Sequence, residues 1–137
     1  MTAYDILVIG GGPAGMAAAL GAKKAGAERV LLTERLDTLG GILNQCVHTG
    51  FGLIYYGEEL TGVEYAARFK EEIKNSGVDV LTGTTVVHLR EDGSALLSGP
   101  SCGLLAVRAK AVILASGCRE RPIGALSVSG TRPSGIF

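Results

Sequence analysis

Apolar positions along the chain fall into short unbroken runs and a few stretches with helical spacing, separated by glycine-rich breaks. Residues 6–9 (ILVI) form the first run, the right length for one strand buried on both faces. An alanine-rich segment over residues 13–25, with Met16 and Leu20, predicts a helix. Lys23 and Lys24 fall in its last turn, where cations suit the helix dipole, and Gly26 is placed for a left-handed cap. Residues 29–33 supply a second apolar strand, so the helix between the two makes a right-handed parallel crossover the expectation.

Residues 35–57 show no clean period. Glycines at 40, 41, 50, 52 and 57 interrupt scattered apolar positions, and the apolar content argues against disorder. A loop of this length inside a compact domain is usually functional, so it is expected to pack over a ligand, with room for a short helix. The next helix declares its own start. Thr61 and Glu64 match a capping box, with Leu60 and Tyr65 placed for a hydrophobic staple. Val63, Ala66, Ala67, Phe69 and Ile73 recur at helical spacing, Glu64 and Arg68 stand four apart as an ion pair, and Gly77 ends the run.

Residues 78–81 predict a third parallel strand. Residues 84–90, 94–98 and 104–108 predict a meander, its first two strands joined by Asp92-Gly93. Residues 111–114 read as a separate buried strand that ends in Ala115-Ser116-Gly117, after which the sequence turns irregular. The order implies an α/β fold, a Rossmann-like parallel sheet with a three-stranded β-meander.

The first strand and helix frame a GxGxxG turn: Gly10, Gly12 and Gly15. Gly10 permits the tight turn, Gly12 lets backbone approach a pyrophosphate, and Gly15 lets the helix sit close to the sheet. Pro13 suits the first helical position, and the free N–H groups of that end face the phosphates. Glu34 follows at the end of the second strand, where a carboxylate accepts from both hydroxyls of a ribose. A glutamate there, with Arg35 as the one neighbouring arginine, favours a free ribose over a 2′-phosphate. The strand–turn–helix–strand–acid context reads as dinucleotide binding.

Composition narrows the rest. At 137 residues the length implies one domain, and 47% hydrophobic residues suffice for a core. Thirteen basic and thirteen acidic residues cancel, which argues against a nucleic-acid or anionic-membrane partner held by charge. No run approaches the length of a transmembrane span, and the N-terminus lacks the basic region of a signal peptide, so a cytoplasmic location is expected. Cys46, Cys102 and Cys118 form no CxxC, which argues against a disulfide framework or a metal cluster.

Taken together, the GxGxxG with its acid, the meander and the Ala-Ser-Gly strand end resemble the N-terminal flavin-binding segment of two-dinucleotide-fold flavoproteins. This is the glutathione-reductase and thioredoxin-reductase (pyridine nucleotide-disulfide oxidoreductase) superfamily. The resemblance implies that Gly10, Gly12, Pro13, Ala14, Gly15, Glu34 and Arg35 border the ADP part of FAD, with Ala115, Ser116 and Gly117 beside the cofactor. GGILNQCVHTGFG and ASGCRERP look like the oxidoreductases related to sarcosine oxidase alpha subunits, cyanide synthase subunits and proteins encoded beside glycerol-3-phosphate dehydrogenases. By that resemblance Gly41, Ile42 and Leu43 lie along the flavin, a backbone N–H near Val86 or Val87 reads the adenine edge, and Arg119 sits at a domain junction. The implied function is the FAD-binding part of an NAD(P)H-linked flavin oxidoreductase. NAD(P)H is then expected for the full-length protein, with a small-molecule electron donor or acceptor and room for a second redox subunit.

The departures matter as well. The redox CxxxxC of the glutathione type is replaced by ILNQCV, with Cys46 alone. The second GxGxxG for the nicotinamide cofactor and a C-terminal return segment do not occur, so residues 1–137 are expected to be the N-terminal part of an FAD domain, incomplete and inactive alone. Three rivals stand beside this reading: a nicotinamide-only Rossmann enzyme, a non-catalytic dinucleotide-binding fragment, and an electron-transferring subunit of a heteromeric dehydrogenase. Cys46 and His48, one residue apart in the long loop, read either as neighbours of the flavin, with His48 a proton donor, or as a packed thiol and a hydrogen-bonded imidazole. Cys118 stands close enough to the Ser-Gly motif to approach the cofactor, whereas His88 reads as a surface residue and Arg119-Glu120-Arg121 as a salt-bridged elbow.

Overall fold

The computed structural model of the chain describes residues 1–118. Arg119 and the elbow it begins lie outside the described residues. Strand β1 (Thr2–Ile9) leads through the glycine turn into helix α1 (Pro13–Lys24) and strand β2 (Val30–Thr33). A short 3-10 helix (Gly41–Gln45) and the strand pair β3 (Thr49–Phe51) and β4 (Leu60–Thr61) follow, then helix α2 (Gly62–Asn75). Strands β5 (Asp79–Leu81), β6 (Thr85–Leu89), β7 (Ser94–Gly99) and β8 (Gly103–Leu114) complete the order.

One six-stranded sheet runs β5-β2-β1-β8-β7-β6. β5, β2, β1 and β8 are parallel, β7 adds antiparallel to β8, and β6 adds antiparallel to β7. Alternate residues of the parallel strands enter two apolar clusters. Val8, Val30 and Leu32 face Met16, Ala19 and Ala22 of α1 and Phe69 and Ile73 of α2. Leu7 and Leu31 join Ala95, Leu97, Val107 and Ala109 of the meander. Burial on both faces is why these strands read as continuous apolar runs and not as an alternation.

The helix boundaries have local causes. Pro13 opens α1 and Gly26 closes it at φ +97°, its N–H donating to the Lys23 carbonyl. Thr61 and Glu64 make both bonds of the capping box at the start of α2. That commits the Glu64 carboxylate, and Arg68 pairs with Glu58 in place of the Glu64 partner expected from spacing. Val63 and Ala67 also differ from expectation: both are exposed, and the buried stripe of α2 is Gly62, Ala66, Phe69 and Ile73.

Two expected strands are one. β8 runs unbroken through Arg108 and Lys110, which alternate outward between buried Val107 and Ala109. What reads as a polar break is the two-residue period of a strand with one charged face. Lys110 Nζ lies 2.7 Å from Asp5 Oδ1 on β1, and Asp5 Oδ2 accepts from the Glu28 and Arg29 N–H groups ahead of β2. The Lys110 ammonium first, then these backbone donors, hold the Asp5 carboxyl down to about 2. The end of β8 is not fully buried as expected. Its pairing with β7 stops at Arg108, and Ala111 and Leu114 are exposed.

The long segment after β2 is ordered by α2. Phe51, Tyr55, Tyr56, Tyr65 and Phe69 form one cluster of tilted and edge-on rings at centroid separations of 4.8 to 6.1 Å. The Tyr56 hydroxyl donates to Glu72, and burial, reinforced by that bond, pushes the phenol well above its usual range. No described helix is long and apolar enough to cross a membrane.

Candidate dinucleotide site

The C-terminal ends of β1, β2 and β8 meet at one edge of the sheet. β1 leads to β2 on one side and pairs with β8 on the other, so the chain direction diverges there. Open α/β sheets bind ligands in such a crevice. A cleft of about 680 Å³ occupies it, lined by Ile9 and Gly10, by Thr33, Glu34 and Arg35, by Thr84, Thr85 and Val86, and by Ser116, Gly117 and Cys118.

Backbone hydrogen bonds hold these walls together. The Gly10 N–H donates to the Thr33 carbonyl at 2.8 Å, and Ala115 N–H donates to Ile9 at 2.8 Å. Glu34 N–H donates to Leu81, while its carbonyl accepts from Thr84. Gly83 N–H donates to Leu36, so the turn before β6 is stitched to residues 34–36.

The glycine turn is a cradle that side chains would fill. A Cβ on Gly10, which sits at φ +109°, would overlap the Ala115 carbonyl, and one on Gly15 would overlap the Gly10 carbonyl. At Gly12 a Cβ would meet nothing within 4 Å. The turn is therefore tight at both ends and open in the middle. Gly12 leads directly into Pro13, so the first turn of α1 offers its unused N–H groups on that open side.

Glu34 is 8% exposed, and its carboxylate is held by backbone alone. Oε2 accepts from Gly11 N–H at 2.7 Å and Oε1 from Leu36 N–H at 2.8 Å. An ionised carboxylate has about four acceptor positions, so two remain for a ligand.

Of the residues singled out from sequence, Gly10, Glu34, Arg35, Val86, Ser116 and Gly117 line the cleft together. Gly12, Pro13, Ala14 and Gly15 form the adjoining turn and helix start. Ala115 lies behind, partly buried against the helix-side cluster. Gly41 packs on Gly12, with its Cβ position 3.0 Å from the Gly12 Cα. Leu43 is buried beneath this segment and Ile42 is exposed. Val87 is the unpaired residue of a bulge in β6 and turns outward, away from the cleft lining. Cys46 and His48 are not in the lining either. The Cys46 thiol donates to the Ile42 carbonyl at 3.4 Å, and His48 Nδ1 lies 2.9 Å from the Thr49 carbonyl with its ring tilted on Phe51.

Sequence reasoning passed over Gly11, Thr33, Thr84 and Thr85. Gly11 was visible as the middle of a Gly-Gly-Gly run. Its N–H binds Glu34, and a Cβ there would strike Leu39 and Glu34. The threonines carry no motif. Thr84 is buried at 2% exposure, with its hydroxyl donating to the Thr82 carbonyl.

Residues 4–135 match the pyridine nucleotide-disulphide oxidoreductase family. The chain is 36% identical over 115 residues to a ferredoxin–NADP reductase of Leuconostoc citreum, covering 83% of the chain and 33% of that protein. It is 32% identical over 142 residues to an alkyl hydroperoxide reductase subunit of Pseudomonas putida, covering 98% of the chain and 25% of that protein. A Corynebacterium sarcosine oxidase alpha subunit is 32% identical, covering 87% of the chain and 13% of that protein. Among solved structures, a thioredoxin reductase of Streptococcus pyogenes superposes with a TM-score of 0.70 at 28% identity, covering 90% of the chain and 38% of that chain. The chain thus spans a third or less of the length of these curated relatives. It belongs to the pyridine nucleotide-disulphide oxidoreductase family.

Proposed function

We propose that this member of the pyridine nucleotide-disulphide oxidoreductase family is the FAD-binding part of an NAD(P)H-linked flavin oxidoreductase. The observation that carries the reading is the pairing of an open Gly12 with a backbone-held Glu34 at the β1/β8 divergence. The turn from Gly10 to Gly15, with Pro13 and Ala14 at the helix start, takes the pyrophosphate on free N–H groups. Glu34 accepts the ribose hydroxyls through its two unused acceptor positions, with Arg35 at the rim. The Val86 backbone, flanked by Thr84 and Thr85, borders the adenine, and Ala115, Ser116 and Gly117 close the opposite wall. Gly41, Ile42 and Leu43 continue along Gly12 toward the flavin end.

Bound FAD supplies the capacity to accept a hydride or an electron pair; the chain orients it and sets the electrostatics around it. In this reading Cys46 and His48 serve packing and not proton transfer, since neither lines the cleft; the Cys46 thiol donates to the Ile42 carbonyl and His48 Nδ1 lies against the Thr49 carbonyl. NAD(P)H as donor, a small-molecule acceptor and a second redox subunit belong to the whole protein. A partner subunit is supported by the likeness to proteins named as subunits of alkyl hydroperoxide reductase and sarcosine oxidase.

Cofactor identity tests the reading. The purified protein is denatured after incubation with FAD and separation from unbound ligand, and the released cofactor is identified by mass and visible absorption. FAD is the expected result. Release of NAD or NADP alone leaves a nicotinamide Rossmann enzyme, and release of nothing leaves only a dinucleotide fold.

A further inference from the structure

Segment 39–41 is latched onto the glycine turn from outside the cleft, and the latch leads to a side chain. Gly40 N–H donates to the Gly11 carbonyl at 2.8 Å. Leu39 is buried against the space a Gly11 side chain would take, and Gly41 packs on the Gly12 Cα. A trans peptide points its C=O and N–H in opposite directions. Fixing the Gly11 carbonyl on Gly40 therefore aims the Gly12 N–H away from the latch, where no carbonyl accepts it among the described residues.

Asn44 holds the latch. Its Nδ2 donates to the Leu39 carbonyl at 2.9 Å, and its Oδ1 accepts from Lys70 Nζ of α2 at 3.1 Å. The amide also fills the room left by Gly40, at φ +114°, where a Cβ would strike the Asn44 amide atoms. Two independent features, a paired amide and a glycine with no space for a side chain, thus fix one arrangement. The order of contacts is Lys70, Asn44, Leu39 carbonyl, Gly40 N–H, Gly11 carbonyl, Gly12 N–H.

We propose that Asn44 is a positioning residue for the diphosphate of the bound dinucleotide: tied to Lys70 and the Leu39 carbonyl, it sets the latch that aims the Gly12 N–H. The inference rests on the dinucleotide reading of the cleft. Asn44 touches neither the adenosine walls nor Glu34, so its effect is confined to ligands that carry the diphosphate.

The test compares ADP and adenosine as probes. Affinities of the protein, of Asn44→Ala and of Lys70→Met are measured by calorimetry for ADP and ligand-observed NMR for adenosine, with melting of the ligand-free forms alongside. Loss of one fixed hydrogen bond predicts that Asn44→Ala weakens ADP about five- to tenfold. Adenosine affinity stays unchanged, and Lys70→Met, which keeps the Leu39 bond, shows a smaller loss in the same direction. Asn44→Asp, which cannot donate to the Leu39 carbonyl, follows Asn44→Ala on ADP even if the alanine variant melts early. Unchanged ADP affinity in Asn44→Ala and Asn44→Asp overturns the proposal while leaving the cleft reading intact. An equal loss of ADP and adenosine assigns Asn44 to general stability and also overturns it. Binding of neither probe by the unsubstituted protein is the distinct failure of the cleft reading itself.

Discussion

Replacing Glu34 by glutamine separates the two jobs assigned to that carboxylate. Both oxygens accept from backbone N–H groups, Gly11 at 2.7 Å and Leu36 at 2.8 Å, in a side chain only 8% exposed. Glutamine offers one oxygen and one NH2, so in either orientation one backbone N–H faces another donor. A hydrogen bond to a charged acceptor contributes about 1.5–3 kcal/mol, and an orphaned buried donor costs a similar amount. Because these describe the same lost contact, they do not add, and a destabilisation of about 2–3 kcal/mol is expected. For a domain of this size that corresponds to a fall in Tm of roughly 6–15 °C. Thermal melting of the ligand-free protein, followed by circular dichroism, reads this term. FAD titration below the melting range reads the second, where loss of the ionised acceptor for the ribose predicts at least about a tenfold weaker complex. A Tm within about 2 °C of the parent, less than 1 kcal/mol on the same scale, would refute the clamp. A lowered Tm with unchanged FAD affinity would keep the clamp and refute the ribose contact.

The glycine turn gives a contrasting pair. Gly12→Ala, at φ −73° and ψ −176° with open space around it, leaves Tm unchanged and weakens ADP about tenfold or more, whereas Gly15→Ala lowers Tm because its Cβ meets the Gly10 carbonyl. Melting and ADP titration of both check this, and equal effects on both readouts would undo the assignment. Cys118 lines the cleft and is exposed, so saturating FAD is expected to slow its alkylation while partly buried Cys46 and Cys102 keep their rates. Peptide mapping by mass spectrometry follows each thiol, and an unprotected Cys118 would put the ligand elsewhere. Asp5 titrates at about 2 in the folded chain, below its unfolded value of about 3.9. Its stabilisation is therefore complete above the unfolded value and is lost as pH falls from about 4 toward 2. Asp5→Asn should lower Tm at neutral pH and flatten the acid slope over that window, and parallel Tm–pH curves would count against it.

The elements legible from sequence were those with a local cause. The glycine turn, the Pro13 start, the Gly26 stop and the Thr61/Glu64 capping box each carry a signature within a few residues of sequence, and each stands where the sequence puts it. What escaped depends on distant partners. Arg108 and Lys110 look like a gap between strands until Asp5 and the meander are known, and then the same residues are the outward half of one long strand. The β3/β4 pair is too short to show a period, and its three and two residues are held against α2. Within the site, Gly10 and Glu34 were readable because a motif carries them. Gly11, Thr33, Thr84 and Thr85 were not, since the contacts that bring them to the cleft run mostly through backbone atoms that any residue possesses.

That reliance on backbone explains how the site and the sequence can diverge. Main-chain donors and acceptors in the segments around Ile9, Gly11, Glu34, Leu36, Gly40, Thr84 and Ala115 assemble the walls and the latch. They survive nearly any substitution except proline, or a Cβ where Gly10, Gly11, Gly15 and Gly40 have no room. The side chains with no backbone substitute are few: the Glu34 carboxylate, which both clamps the turn and faces the cleft, and the Asn44 amide, which holds the latch from behind. On the proposed dinucleotide reading, changes elsewhere in the lining alter what the cleft accepts, whereas changes at these two alter how well the turn is poised for a diphosphate.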